Sequence, residues 1–239
     1  MSQATAQRAL VFGASGAIGS AIALRFAGQG WQVGGVSRKG DAAAHPSIQA
    51  IAYDPLAEGA THEVLAADGP YHAVVWAQGA NATDNVRNVD LDAHQALYRA
   101  NCLYILASLK VLLERGLLAP CARLCIISSI WQNLARQDKL SYCMTKAALQ
   151  GLVLSASADL AKDGILVNAV LPGALDTPMT RANVAPAQIE RLSNATYFGR
   201  LPSLEDVSQL AYYLCSPDNT GITGQFIAAD LGFSHVRLL

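Results

Sequence analysis

Charge is scarce in this chain: 15% of its 239 residues are charged, seventeen basic against eighteen acidic, for a formal net charge of -1. A surface without a dominant sign has no long-range field to gather nucleic acid or an anionic membrane, so neither is expected as a partner and a small molecule is. The amino-terminal stretch MSQATAQRALVFGASG has none of the basic segment, long apolar run and cleavage site of a secretory signal, and its apolar run is too short to span a bilayer. A cytoplasmic protein is expected. Cysteine is sparse and odd in number, Cys102, Cys121, Cys125, Cys143 and Cys215, with no pair of CxxC units, so reduced, buried thiols are expected. The five histidines (His45, His62, His72, His94, His235) share no ligand spacing, which argues against a metal site.

Apolar residues are plentiful at 52%, enough for a large core. They fall in short runs, RALVF, WQVGGV, SIQAIAY, YHAVVWA, ARLCIIS, ILVNAVL and GQFIAAD, each read as a strand buried on both faces. Residues 17–29, 91–114, 141–162 and 204–215 carry Ala, Leu and Ile at helical spacing without internal proline. Strands alternating with helices predict an α/β fold, a Rossmann-type doubly wound parallel sheet of about seven strands with helices on both faces. No linker or repeat divides it, so residues 1–239 are read as one domain. Residues 173–203 are polar, hold three prolines and lack a strand, and are read as a substrate loop or lid.

Strand one runs into Gly13-Ala14-Ser15-Gly16-Ala17-Ile18-Gly19 and then a helix. Gly13 allows a tight turn, Gly16 lets the main chain approach a pyrophosphate, Gly19 permits close helix packing, and the helix amino terminus faces the phosphates. Where a carboxylate after strand two would bind the ribose 2′-hydroxyl of NAD, the chain has Ser37-Arg38-Lys39. A guanidinium suits a 2′-phosphate, so NADP(H) is expected over NAD(H), with NAD(H) possible and a solvated basic turn as the alternative. Asp54, after strand three, is placed to reach the adenine amino group or to serve a turn.

Tyr142 and Lys146 stand four apart on one predicted helix face. A nearby ammonium and an oxidised nicotinamide favour the phenolate, which lets a tyrosine exchange a proton with a substrate oxygen. Thirteen residues before Tyr142, Ser129 follows an apolar run and so falls at a strand's carboxyl end, where its hydroxyl is placed to hold a substrate carbonyl.

Taken together, GASGAIG, Asn101, Ser129, Tyr142-x-x-x-Lys146, Asn168-Ala-Val-Leu-Pro172-Gly173 with Thr177, and GITGQFIAADLG resemble, in order and spacing, the short-chain dehydrogenase/reductase family over nearly the whole chain. The resemblance implies the one-domain branch, Tyr142 as general acid/base, Lys146 on the nicotinamide ribose and lowering the tyrosine pKa, Ser129 orienting substrate, and Asn101 positioning a water in the proton relay. By the same likeness Ser15, Ile18, Gly79, Pro172, Gly173 and Thr177 join the cofactor site, Thr177 at the carboxamide, and residues 173–203 close over the substrate. Two positions depart from the family: Ala17 replaces its middle glycine, and Trp76-Ala77-Gln78-Gly79 replaces Asn-Asn-Ala-Gly.

Two other readings use the same fold: a nicotinamide-binding regulator without turnover, and an epimerase-like enzyme that retains NAD and gives no net redox change. Trp131, Gln132, Leu175, Met179, Tyr197 and Phe198 are candidates for a partly apolar pocket or for packing alone, and substrate identity is left open. Helices 91–114 and 141–162 are more apolar than one covered face requires, and the family likeness points to their pairing in a homodimer or homotetramer.

Overall fold

The structure, a computed structural model, describes residues 6–177, 180–181 and 184–235; Met179 lies outside them. Seven parallel strands form one sheet: β1 Arg8–Phe12, β2 Gln32–Ser37, β3 Ile48–Ala52, β4 Tyr71–Trp76, β5 Leu118–Ile127, β6 Leu166–Pro172 and β7 Phe226–Ala229, in the order β3-β2-β1-β4-β5-β6-β7. This is the doubly wound arrangement expected. The chain winds outward on both sides of β1, so the loops after β1 and β4 separate and leave a crevice at the carboxyl ends.

Alternation along each strand feeds two cores. In β1, Leu10 and Phe12 join Trp76, Ile126, Leu149 and Val153 on one face, while Ala9 and Val11 join Ile22, Phe26, Val207 and Leu214 on the other. Helices α1 Ala17–Gly28 and α6 Leu204–Cys215 cover the second face, tied at their ends by Arg25 to Glu205 at 3.1 Å. The first face is covered by α2 Leu91–Tyr98, α3 Tyr104–Glu114 and α4 Leu140–Asp159. The sheet's margins correct the expectation of strands buried on both faces: β3 buries only Ile51 and β7 is half-exposed, because each is an edge strand with a neighbour on one side.

The helix expected over 91–114 is present but not uniform. Asp90 caps it by accepting from Ala93 N at 2.9 Å, and a π-turn, Arg99–Leu103, joins α2 to α3. By length and composition this helix is apolar enough to cross a membrane, yet half of its most apolar window is buried inside the protein, as befits a core helix. Residues 173–203 also hold more order than their polarity suggested: α5, Pro186–Asn194, starts with proline at its first turn. Of the five free cysteines, Cys102, Cys125 and Cys215 are buried as expected, whereas Cys121 is exposed and Cys143 half-buried.

Candidate active site

The glycine turn after β1 is built by exclusion. Gly13 has φ +79°, and a Cβ there would lie 2.5 Å from Gln78 N; a Cβ on Gly19 would lie 2.1 Å from Gly13 O. Neither position admits a side chain. Gly16 differs: an added Cβ meets nothing nearer than Gly13 O at 3.4 Å, so its missing side chain serves the open crevice rather than the protein's own packing. Gly16 is also the N-cap of α1, and no side chain caps the helix's first N–H groups. Ala17, the first departure, is exposed at the helix start, and Ile18 packs onto the second core.

These elements border a cavity of about 440 Å³, which Ser15, Ser37, Arg38, Asp54 and Gly79 also line. Ser37 and Asp54 are partly committed to turns: Ser37 Oγ accepts from Asp41 N at 2.7 Å and Asp54 Oδ1 from Leu56 N at 2.9 Å. Arg38 makes no ion pair among the described residues, and Arg99, a second arginine lining the same cavity, makes none either. Arg99 was not anticipated, since helical spacing alone did not show which face of 91–114 meets the crevice. A cradle of glycines, uncapped helix N–H groups and free guanidinium together fit a dinucleotide.

The second departure is rebuilt with other groups. Trp76 is fully buried, stacked on Phe12 with centroids 5.7 Å apart, and its Nε1 donates to Ser108 Oγ at 2.8 Å. Asn101, brought round by the π-turn, holds the following loop: its Oδ1 accepts from Ala80 N at 2.7 Å, and its Nδ2 donates to Ala80 O at 3.1 Å and Thr145 Oγ1 at 2.9 Å. Gly79 sits beneath, where a Cβ would lie 3.3 Å from Asn101 Oδ1 and 3.8 Å from Lys146 Nζ.

Asn101, Ser129, Tyr142 and Lys146 thus converge. The Ser129 side chain is near enough to Tyr142 to act on its phenol, the Lys146 ammonium lies 5.7 Å from the Tyr142 ring centroid, and Lys146 Nζ donates to Ile127 O at 3.1 Å. Burial raises the Tyr142 phenol above its usual range, and the neighbouring Ser129 hydroxyl opposes this. Burial likewise pulls Lys146 down to about 8, against a smaller opposing effect of Cys102. In the free protein the tyrosine is therefore held protonated, desolvation being the largest effect and the neighbouring Cys143 adding to it.

Helix α4 is anchored from outside its own sequence. Asp84, in the loop after β4, accepts from Ser141 N at 3.0 Å and from Ser141 Oγ, and its carbonyl accepts from Leu140 N at 3.1 Å. His94 Nδ1 meets the same Ser141 hydroxyl at 2.8 Å.

At the far side, Gly173 N donates to Ala229 O at 3.1 Å, and a Cβ on Gly173 would press within 3.0 Å of Asp230 Cβ, so this glycine follows Pro172 for packing reasons. Thr177 is buried, its Oγ1 accepting from Thr180 N at 3.1 Å. Among the pocket candidates, Leu175 and Gln132 are buried packing residues, Gln132 Oε1 accepting from Ser128 Oγ at 2.8 Å. Trp131 is half-buried against Phe233, and Tyr197 and Phe198 are exposed.

Comparison with known proteins agrees with this architecture. Residues 13–234 match the family model described as Enoyl-(Acyl carrier protein) reductase. The chain is 28% identical to the uncharacterized oxidoreductase YmfI of Bacillus subtilis, over 94% of this chain and 98% of that one. It is 29% identical to a diacetyl reductase of Staphylococcus aureus, over 72% and 71%. The aldohexose dehydrogenase structure from Thermoplasma acidophilum superposes with a TM-score of 0.89 at 21% identity, over 98% and 96%. With the fold, the family match and these relatives in agreement, the chain belongs to the short-chain dehydrogenase/reductase family and is an oxidoreductase of that family.

Proposed function

We propose that the protein is an NADP(H)-preferring reductase or dehydrogenase acting on a ketone/secondary alcohol pair, with Tyr142 as its proton donor and acceptor. The observation that carries this is the grouping of Ser129, Tyr142 and Lys146 at the carboxyl end of β5. Gly13, Ser15, Gly16 and the start of α1 hold the pyrophosphate, with Ile18 and Gly19 supporting the helix; Ser37, Arg38, Asp54 and Gly79 hold the adenosine end. Lys146, Pro172, Gly173 and Thr177 hold the nicotinamide end. Bound NADP(H) supplies hydride to the substrate carbon, or takes it in the reverse direction.

The side chains manage the proton. Ser129 holds the substrate oxygen, and Tyr142, kept protonated by its burial, gives that oxygen its phenolic proton as charge develops there. Lys146 stabilises the resulting phenolate, and Asn101 orders the water from which Tyr142 is reprotonated. The preference for NADP(H) rests on the unpaired Arg38 and the lack of a carboxylate beside it, with NAD(H) accepted more weakly. The diacetyl reductase and aldohexose dehydrogenase names favour a small polar carbonyl or alcohol as substrate. Residues 173–203 act as the lid of a single domain, and the protein works in the cytoplasm as a homo-oligomer.

The test is Tyr142→Phe against a carbonyl panel, with NADPH and NADH titrated into wild type and Arg38→Ala. Turnover should fall by about 10²–10⁴-fold with NADPH binding intact, and Arg38→Ala should weaken NADPH selectively. Undiminished turnover removes Tyr142 from the chemistry, and equal effects on the two nucleotides remove Arg38 from the phosphate.

A further inference from the structure

Gln78 carries a carboxamide that the protein itself does not use. Its Oε1 and Nε2 are both shut off from solvent, and neither has a hydrogen-bond partner among the described residues. A buried donor and acceptor left unmade are a standing cost to a folded protein, and natural structures retain few of them. The only other buried side-chain atom in this condition among the described residues is Asp68 Oδ2, which belongs to a different cavity.

Gln78 is also fixed in place. Its backbone abuts Gly13, and the preceding residue, Ala77, donates its N–H to Phe12 O at 2.9 Å, locking the turn after β4 against the end of β1. The residue lines the same cavity as Gly13, Gly16, Arg38 and Asp54, between the glycine turn and the ends of β2 and β3. No hydrogen bond holds the carboxamide, and its terminal torsion is broad, so it can turn toward a ligand in that cavity.

The two orphaned atoms have opposite sense, one accepting and one donating. A phosphate presents acceptors alone and would engage only the nitrogen. A ribose presents neighbouring oxygens of both kinds: the 3′-hydroxyl donates, and the 2′-hydroxyl or 2′-phosphate accepts. We infer that Gln78 binds the adenosine ribose of the nicotinamide dinucleotide, Oε1 accepting from the 3′-hydroxyl and Nε2 donating to the 2′ oxygen. The inference rests on the cofactor reading given above and adds to it a residue from the very turn that departs from the family pattern.

Gln78→Met keeps the length and removes both polar atoms, and Gln78→Ala removes the side chain. NADPH, NADH and adenosine 5′-monophosphate are titrated into each variant and wild type by calorimetry, and the ligand-free proteins are melted in parallel. The expected result is a roughly ten-fold rise in Kd for all three ligands, while ligand-free Gln78→Met melts at the same temperature as wild type or higher because the orphaned groups are gone. Unchanged Kd values in both variants overturn the inference. So does a lower melting temperature of Gln78→Met with unchanged Kd, which would mean that the amide is satisfied within the protein. Wild-type protein that binds none of the three overturns the cofactor reading itself, a failure visible before any variant is made.

Discussion

The carboxylate of Asp84 caps the helix on which Ser141 and Tyr142 stand, across a separation of 57 residues. The helix has no local substitute, since its N-cap, Lys139, makes no side-chain cap hydrogen bond. Ser141 has one hydroxyl proton and donates it to Asp84, so His94 Nδ1 must be the donor in the remaining contact.

Removing the Asp84 cap should therefore loosen the turn that aims the tyrosine. Asp84→Ala is expected to cost about 1–2 kcal/mol of stability and to lower kcat by ten-fold or more, with little change in the Kd for NADPH. Asp84→Asn, which still accepts from Ser141 N, should recover most of the stability. Denaturant titration and steady-state kinetics on both variants check this; an Asp84→Ala enzyme with wild-type kcat would show that the cap does not reach Tyr142.

Lys146 predicts a pH dependence of folding. Its pKa of about 8 in the folded protein lies below the ordinary 10.5. Between those values the unfolded chain binds a proton that the folded one does not, so stability rises with pH across the window and the gain is lost as pH falls through 8. The contribution amounts to at most about 3 kcal/mol. Urea unfolding from pH 7 to 9.5 should show the rise in wild type and a flatter profile in Lys146→Met, and parallel profiles would reject the assignment.

The two glycines of the first turn should fail differently. Gly13→Ala meets both a positive φ and the Gln78 backbone, and should lose more than about 2 kcal/mol or not fold. Gly16→Ala has room for its methyl group and should stay within about 1 kcal/mol of wild type, yet bind NADPH at least ten-fold more weakly. Thermal melts with and without NADPH separate the cases; a Gly16→Ala protein with unaltered affinity would move the pyrophosphate elsewhere.

Oligomerisation can be read from solution mass. Leu106 on α3 and Met144 and Leu154 on α4 are 51%, 51% and 48% exposed, apolar groups on the helices expected to pair. A dimer or tetramer at micromolar concentration is expected, and Leu106→Glu with Leu154→Glu should shift it toward monomer. A monomeric wild type would mean that these side chains face water.

The strands were legible because each is a short apolar run bounded by polar or glycine-rich turns, and Tyr142 and Lys146 because helical spacing is local. What escaped is non-local. That β3 and β7 are edges depends on strand order, which no run of residues encodes. The π-turn at Asn101 is a change of hydrogen-bond register without a compositional sign, and α5 is short and polar enough to pass for loop. Asp84 and Gln78 matter through partners, or the want of them, that only folding reveals.

Asn101 ties together the loop after β4, the π-turn and helix α4 through a single amide, both of whose N–H donors are taken while its Oδ1 accepts once. With three segments on one fastener, a displacement of any one is felt by the other two. With Tyr142 as the proposed proton donor and 173–203 as the proposed lid, substrate range would be set outside the knot, and the knot would hold the crevice and the tyrosine at one separation whatever the lid admits.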